Sequence, residues 1–339
     1  MAVPSPNADW LALTVEEPLE PEILICDPHH HLWDQRTRRI PRYLLDEFLE
    51  DLQSGHQVGS TVFIECGSMF KVDGPEALRP IGETEFVNGI AAMSASGGYG
   101  SVRVAAGIIG TADLRLGDRV APVLDAHIRA GGGRFRGIRL GGTWDPHEEI
   151  PNHRTNPPEH LLLREDFRAG FAHLGPLSLV FEVWCYHHQI PEVTDLAQAF
   201  PDTTIVLDHF GGPIGVGPYA GKAEEVFAQW RTHIHELASC NNVVAKLGGI
   251  NQEINGFGWD TRSRPPTSQE LVDASRRYYE YTLEAFGVGR CMFESNFPVE
   301  KASCSYTVLW NAFKRLAADY STAEKAKLFH DNAARVYRL

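Results

Sequence analysis

The sequence predicts a (β/α)8 TIM barrel with long loops at its C-terminal face. Apolar runs alternate with amphipathic stretches along most of the 339 residues, and each apolar run is nearly continuous. Continuous apolar runs are typical of strands that are covered on both faces, as in a parallel sheet. Eight strands alternating with helices fit a closed barrel. The alternative is an open, doubly wound sheet, but no Gly-x-Gly-x-x-Gly motif follows the first strand.

Eight apolar runs are predicted to be strands, and the stretches between several of them carry apolar residues at helical spacing. The strands are expected at residues 23–26, 61–66, 103–109, 135–140, 177–184, 204–208, 243–247 and 291–294. Helices are expected at residues 121–130, 190–200, 223–239, 268–286, 311–319 and 322–337.

The domain organisation follows from the same pattern. Residues 1–22 contain four prolines and several acids, which predicts an irregular N-terminal arm, and residues 23–339 are expected to form a single barrel domain. Three connections are long, at residues 67–86, 141–164 and 248–268. All three follow the carboxyl end of a predicted strand, the face where a barrel builds its active site.

Composition and charge exclude several classes of protein. The formal net charge is −13, which argues against a nucleic-acid partner and against an anionic membrane surface. We find no apolar run of about 20 residues and no secretory signal. The six cysteines form no Cys-x-x-Cys pair, so we expect buried, reduced thiols in a cytoplasmic protein. Pairing of the outer helices in a homo-oligomer is compatible with this fold.

A histidine motif closes the first predicted strand. In Cys26-Asp27-Pro28-His29-His30-His31-Leu32-Trp33, His29 and His31 are two residues apart. Side chains alternate faces along a strand, so these two imidazoles point the same way. Two neutral imidazoles on one face are half of a divalent metal site. The alternative is a histidine-rich loop that binds nothing.

Three other predicted strands also end in polar side chains. The fifth is followed by Tyr186-His187-His188, the sixth by Asp208-His209 and the eighth by Glu294-Ser295-Asn296. Singly, each histidine is more often a structural residue. Because the carboxyl ends of barrel strands converge on one mouth, we expect a shared catalytic site there.

These motifs resemble the amidohydrolase superfamily, and within it amidohydrolase family 2, in the branch of sugar-lactone and pyrone-dicarboxylate lactonases. The matching segments are His-x-His, His188-Gln-Ile-Pro, Leu-Asp-His209-Phe-Gly and Ser295-x-x-Pro. The resemblance implies His29, His31 and His188 as metal ligands, with His187 as the alternate. It also implies a divalent metal ion, with zinc as the favoured metal and manganese as the alternative. It also implies that His209 binds a second metal or polarises the substrate carbonyl.

The motif after the eighth strand departs from the family pattern, which is usually Gly-Ser-Asp with Asp as the base. Asn296 replaces that Asp, and an amide cannot be a general base. Glu294, two residues earlier, can point into the barrel as well. We therefore expect Glu294 to supply the base or a carboxylate ligand, with Asn296 orienting water or substrate. Alternatively, Glu294 pairs with a buried cation such as Lys246 or Arg139. Operation without metal also stays open.

Two basic residues lie within predicted strands. Either Arg136 or Arg139 of the fourth strand points inward, and an inward arginine suits a carboxylate or an oxyanion. Lys246 lies in an apolar run and needs a partner or a function. It holds a substrate anion or pairs with an acid such as Glu65 or Glu182. Trp144 and Tyr186 are expected to wall a pocket for a ring-shaped substrate.

The resemblance, together with these residues, implies a hydrolase that opens the lactone of a small organic or sugar acid with an activated water. The expected substrate is a small acidic or ring-shaped molecule. The second hypothesis is a metal-dependent, non-oxidative decarboxylase of an aromatic or unsaturated acid. The third, from another class, is a catalytically impaired barrel that binds a ligand.

Overall fold

The predicted barrel is confirmed in the computed structural model, which describes residues 5–35 and 37–339. One eight-stranded parallel sheet pairs each strand with its neighbour in chain order. A parallel bridge between His30 and Phe297 joins the first strand to the segment after the eighth, so the barrel is nearly closed. The strands are β1 (Ile25–His30), β2 (Val58–Ile64), β3 (Arg103–Gly110), β4 (Phe135–Gly141), β5 (Val180–Trp184), β6 (Ile205–Leu207), β7 (Val243–Leu247) and β8 (Cys291–Phe293).

A helix follows each strand and covers the outside of the sheet. These helices are α1 (Leu45–Leu52), α2 (Ile81–Ala95), α3 (Ala121–Ala130), α4 (Glu165–Phe171), α5 (Ile190–Ala199), α6 (Ala223–Ala238), α7 (Ser268–Phe286) and α8 (Tyr306–Leu316). The chain closes with helical segments at Thr322–Ala326, Lys327–Asp331 and Asn332–Tyr337. Among the described residues, no helix is both long enough and apolar enough to cross a membrane.

Several boundaries differ from the sequence prediction by a few residues, and two of the differences have a clear physical reason. The first strand was expected to end at residue 26, where the apolar letters stop, but β1 continues through His30 with every residue buried. The helix expected at 311–319 begins at Tyr306, because the Ser305 hydroxyl accepts a hydrogen bond from the backbone N–H of Val308. This N-cap hydrogen bond determines where the helix begins, whereas the apolar spacing used for the prediction located only its later part.

The described part of the N-terminal arm lies against the barrel domain. It contains one short helix, Ala8–Leu11. Side chains of Asn7 and Thr14 donate hydrogen bonds to the carbonyls of Lys301 and Pro265. These contacts tether the arm at separate points. Residues 1–4 of the predicted arm lie outside the described residues.

The barrel interior has an apolar lower half and a charged upper half. The lower half contains one interior residue from most strands, packed with the final helical segment: Cys26, Val62, Ile64, Ile109, Val180, Val206, Val244, Met292, Ala333, Val336 and Tyr337. The Tyr337 hydroxyl donates a 2.6 Å hydrogen bond to Glu182 Oε1, and both residues are buried. The end of the chain thus closes the barrel from below and contacts its charged layer.

Tyr337→Phe is expected to lower the free energy of unfolding by about 1–3 kcal/mol, because it leaves one oxygen of a buried carboxylate without its donor. Denaturant unfolding followed by circular dichroism measures this. Tyr281→Phe, on a half-buried position of α7, is the matched control. Equal stability losses for the two variants would show that the Tyr337 hydroxyl adds nothing.

Candidate active site

Both histidines at the end of β1 are buried at the top of the barrel. The Nδ1 atom of His31 lies 2.8 Å from the carbonyl oxygen of Ile64. A carbonyl oxygen can accept a hydrogen bond only from a nitrogen that carries a proton. The proton of the neutral imidazole is therefore on Nδ1, and the lone pair is on Nε2. That atom lies 3.3 Å from Asn296 Oδ1. The two imidazole rings of His29 and His31 are 4.9 Å apart, edge to face.

His29 is the centre of the polar cluster. Its Nδ1 atom lies 2.7 Å from Glu294 Oε2 and 3.1 Å from Lys246 Nζ. Its Nε2 atom lies 3.4 Å from Arg139 Nη1. Burial lowers the pKa of His29 well below its ordinary value, and the positive charge of Lys246 lowers it further. His29 is therefore a neutral imidazole at pH 7.

His209 and Glu294 form a buried hydrogen-bonded pair. The His209 Nδ1 atom lies 2.7 Å from Glu294 Oε1. His209 is held in the left-handed backbone region, with φ +51°, a strained conformation of the kind that concentrates at functional sites. The edge of the Trp184 ring packs against the imidazole, with ring centres 4.8 Å apart. This contact fixes the imidazole from the side.

Two glycines after β7 leave the room that this pair needs. A Cβ atom on Gly248 would lie 2.6 Å from Glu294 Cγ. A Cβ atom on Gly249, whose φ is +68°, would lie 1.9 Å from His209 Nδ1. No larger residue fits either position without moving the pair.

Buried cations lie beneath the histidines. Lys246 Nζ is 2.7 Å from Glu182 Oε2 and 3.4 Å from Asp208 Oδ1. Arg139 Nε donates to Glu65 Oε1 at 3.0 Å. Both basic side chains, expected from the sequence to bind substrate, are thus engaged by carboxylates inside the barrel. Arg139 is the inward arginine of β4, while Arg136 is only half-buried.

The carboxylates of this layer are more protonated than exposed ones. Burial raises the pKa values of both Glu294 and Asp208, and the nearby ammonium of Lys246 partly opposes the shift. Burial lowers the pKa of His209 to about 3. The His209 imidazole is therefore neutral at pH 7. Glu294 becomes a charged carboxylate, able to support this imidazole as a base, only as the pH rises through its raised pKa.

A metal could be held by His29, Asp208 and His209, whose ligand atoms all lie within 4.8 Å of one another. Two imidazoles and a carboxylate are a donor set that zinc takes. Both oxygens of Asp208 are buried and, within the described residues, neither makes a hydrogen bond, so the carboxylate is available to an ion. Lys246 competes electrostatically for the same place. The residues therefore fit a divalent metal in donor type.

His188, which the resemblance implied as a third ligand, lies in a different cluster. Its Nε2 atom is 3.0 Å from Asp145 Oδ2, which also accepts a 2.7 Å hydrogen bond from the Tyr219 hydroxyl. The chain turns into a short helical segment, His187–Gln189, directly after Tyr186. His187 is buried against the Tyr219 ring, with ring centres 5.4 Å apart. Neither histidine joins the group of His29.

The expected aromatic wall is only partly assembled at the site. The Tyr186 hydroxyl donates to the carbonyl of Pro151 at 2.5 Å, so the tyrosine anchors the loop after β4. Trp144 lies half-buried in the same loop, and its backbone N–H donates to Gln189 Oε1 at 3.1 Å. Trp184, which the sequence also places near the mouth, packs against the His209 ring. No role was predicted for Asp208, although its position directly before His209 was the available signal.

Comparisons with known proteins agree with this fold. The chain matches the amidohydrolase family over residues 26–339, and it belongs to that family. It is 33% identical to y4mH, an uncharacterized protein of Sinorhizobium fredii, over 94% of this chain and 99% of that one. An L-fucono-1,5-lactonase of Burkholderia multivorans is 27% identical over 93% and 96% of the two chains.

A solved structure extends the likeness to a metal-containing relative. The crystal structure of an amidohydrolase from Burkholderia multivorans with bound zinc superposes with a TM-score of 0.70 at 25% identity. The match covers 93% of this chain and 99% of that one. The protein is therefore an amidohydrolase-family barrel whose relatives include a lactonase and a zinc-bound enzyme.

Gly249→Ala is expected to destabilise the protein by more than the roughly 1 kcal/mol that a non-glycine residue costs at positive φ. The added methyl group would displace His209 and break its hydrogen bond to Glu294. Gly74→Ala is the matched control, since Gly74 has φ +86° and nothing within 4 Å of its Cβ position. Chemical denaturation compares the variants. Equal losses of unfolding free energy in the two variants would mean that His209 can move aside without destabilising the protein.

Proposed function

We propose that this protein is a hydrolase that opens a lactone of a small organic or sugar acid. An activated water at the barrel mouth attacks the lactone carbonyl. The observation that carries the proposal is the buried hydrogen bond between His209 and Glu294, because an imidazole backed by a carboxylate is an effective base for water. The 27% identical lactonase relative supports the lactone as the substrate class.

In the version of the reaction without a metal, His209 is the group that takes the proton from water. Glu294 engages its Nδ1 atom, so Nε2 is the nitrogen left for water. His209 directly follows Asp208 at the carboxyl end of β6, the end of the strand that faces the mouth of the barrel. The positive charge that forms on the ring is stabilised by the Glu294 carboxylate. Burial raises the pKa of Glu294 and disfavours this charged form, and the nearby Lys246 ammonium partly offsets that effect.

The reaction balances with these groups alone. The oxygen of water bonds to the carbonyl carbon while its proton moves to His209 Nε2. The ring C–O bond then breaks, and the leaving alkoxide takes the proton back from His209, which yields a hydroxy acid. Arg139 and Lys246 lie behind the histidines, where carboxylates engage them, so they act on the negative charge of the carbonyl oxygen only through the electric field of the site and not by direct hydrogen bonds.

We also propose that His29, Asp208 and His209 hold zinc. Bound zinc would supply a Lewis acid that polarises the lactone carbonyl. His209 is then committed as a ligand, and Glu294 is the remaining proton acceptor. His31 Nε2 and the side-chain amide of Asn296 lie next to each other, the NH2 end of the amide is the one that can donate to this nitrogen, and these two side chains orient the water. The zinc-bound relative supports the choice of metal.

Glu294→Gln is expected to lower kcat for lactone opening by about 10²–10⁴-fold, because the amide cannot accept a proton. The double variant E294Q/N296D should recover part of the rate, since it restores a carboxylate two residues away. A pH-indicator assay over a panel of aldonolactones and aldarolactones measures both. Full activity in E294Q would refute the role of Glu294. No turnover of any lactone by the wild-type protein would refute the function.

Metal content separates the two versions of the mechanism. Elemental mass spectrometry on protein purified without chelators should find about one zinc per chain, and Asp208→Asn should reduce that occupancy. His188→Ala, outside the His29 group, is the control that keeps it. Metal-free wild-type protein with full lactonase activity would overturn the zinc assignment and leave the His209–Glu294 base in place.

A further inference from the structure

A cleft lies at the mouth of the barrel, outside the buried cluster. It measures about 360 Å³ and is formed by the loops after β1, β4, β7 and β8. Its lining includes Trp33, Arg38, Pro151, Ile254 and Pro298. The Trp33 ring stacks on His31, with ring centres 6.0 Å apart. The Trp33 side chain therefore lies between the cleft and His31.

Arg38 is fixed in this cleft by neutral partners. Its guanidinium carbon lies 4.1 Å from the centre of the Trp33 ring, a cation–π contact. Its Nε atom donates to Gln35 Oε1 at 2.7 Å, and its Nη2 atom donates to the Cys66 carbonyl at 2.7 Å. These contacts orient the planar guanidinium group, and because the acceptors are uncharged they do not neutralise its positive charge.

No carboxylate forms an ion pair with Arg38 among residues 5–35 and 37–339. The remaining residues, 1–4 and 36, include no acidic side chain. The neighbouring Arg39 differs, since its Nη1 atom lies 2.9 Å from Glu253 and 3.0 Å from Asp260. Arg38 is therefore the cleft arginine whose charge is not matched.

The nearest acids are already engaged. Glu65 is shared by Arg139 and Arg154, which both lie in ion-pair contact with it. The Oε1 atom of Glu83 accepts backbone hydrogen bonds from Cys66 at 3.0 Å and from Ser68 at 2.7 Å. Glu65 is thus committed to two other arginines and Glu83 to backbone donors, so neither matches the charge of Arg38. The surplus of positive charge favours an anion.

We propose that Arg38 binds a carboxylate of the substrate, distal to the lactone carbonyl, so that the preferred substrates are acidic lactones. This inference rests on the proposed lactone hydrolysis. An oriented arginine fork suits a carboxylate, which it can bind through two parallel hydrogen bonds. Arg139 and Lys246 are closed off by Glu65 and Glu182, so neither is free to take this role. Arg38 is thus a specificity-determining residue.

The test compares two lactones of the same ring that differ in one group. One is a six-carbon aldarolactone with a free carboxylate, and the other is the aldonolactone with a hydroxymethyl group there. Wild-type protein should prefer the acidic lactone in kcat/KM. Arg38→Gln should lower kcat/KM for that lactone by about 10–100-fold, chiefly through KM, as loss of a charged hydrogen bond predicts. The neutral lactone should change less than about threefold.

Arg38→Lys keeps the charge without the fork and should recover part of the loss. Equal effects of R38Q on both lactones, or no effect on either, would overturn the assignment. Calorimetry with the open-chain aldarate and aldonate gives a second readout that needs no turnover. If wild-type protein binds the aldarate more tightly than the aldonate and R38Q abolishes this preference, the carboxylate site is supported. This holds even if neither lactone is hydrolysed, because missing hydrolysis would count only against the lactonase function. Equal affinities for the two acids in wild type would overturn the site.

Discussion

The buried ammonium of Lys246 is the constraint on which the rest of the site depends. It lies within 4 Å of carboxylate oxygens of Glu182, Asp208 and Glu294, and all of these side chains are fully buried. Three carboxylates in such a space would repel one another and lose their hydration, so each needs a nearby cation to be charged. Because Lys246 also contacts His29, the position of one side chain sets the charge state of the acids and the orientation of the β1 imidazole.

Much of the fold was predictable because it depends on local patterns. Near-continuous apolar runs identified all eight strands, since a strand that is buried on both faces cannot contain many polar residues. The same rule failed at β1, where Asp27 and His29 are as buried as any leucine. Asp27 accepts hydrogen bonds from the Ser295 and Tyr306 hydroxyls. Partners more than 260 residues away satisfy this carboxylate, and no local pattern reports them.

The candidate site was predictable in part. Convergence of the strand ends brings His29, His31, His209 and Glu294 together as the barrel geometry requires. His188 also follows a strand end, but the chain turns before it and directs its imidazole to Asp145. The sequence gave no indication of a role for Arg38, because what distinguishes this residue is that no described carboxylate forms an ion pair with it. A surplus charge depends on the whole three-dimensional arrangement, and a motif records only what is adjacent in sequence.

The closure of the barrel by Tyr337 has a consequence for how the chain is made. Glu182 and its lysine partner belong to strands that leave the ribosome well before residue 337, because domains emerge from their N-terminal end. Until the final helical segment arrives, the lower barrel is open to water and the Glu182 carboxylate has no tyrosine donor. The interior charges therefore reach their final arrangement only after the segment that carries Tyr337 has been made and has packed against the barrel.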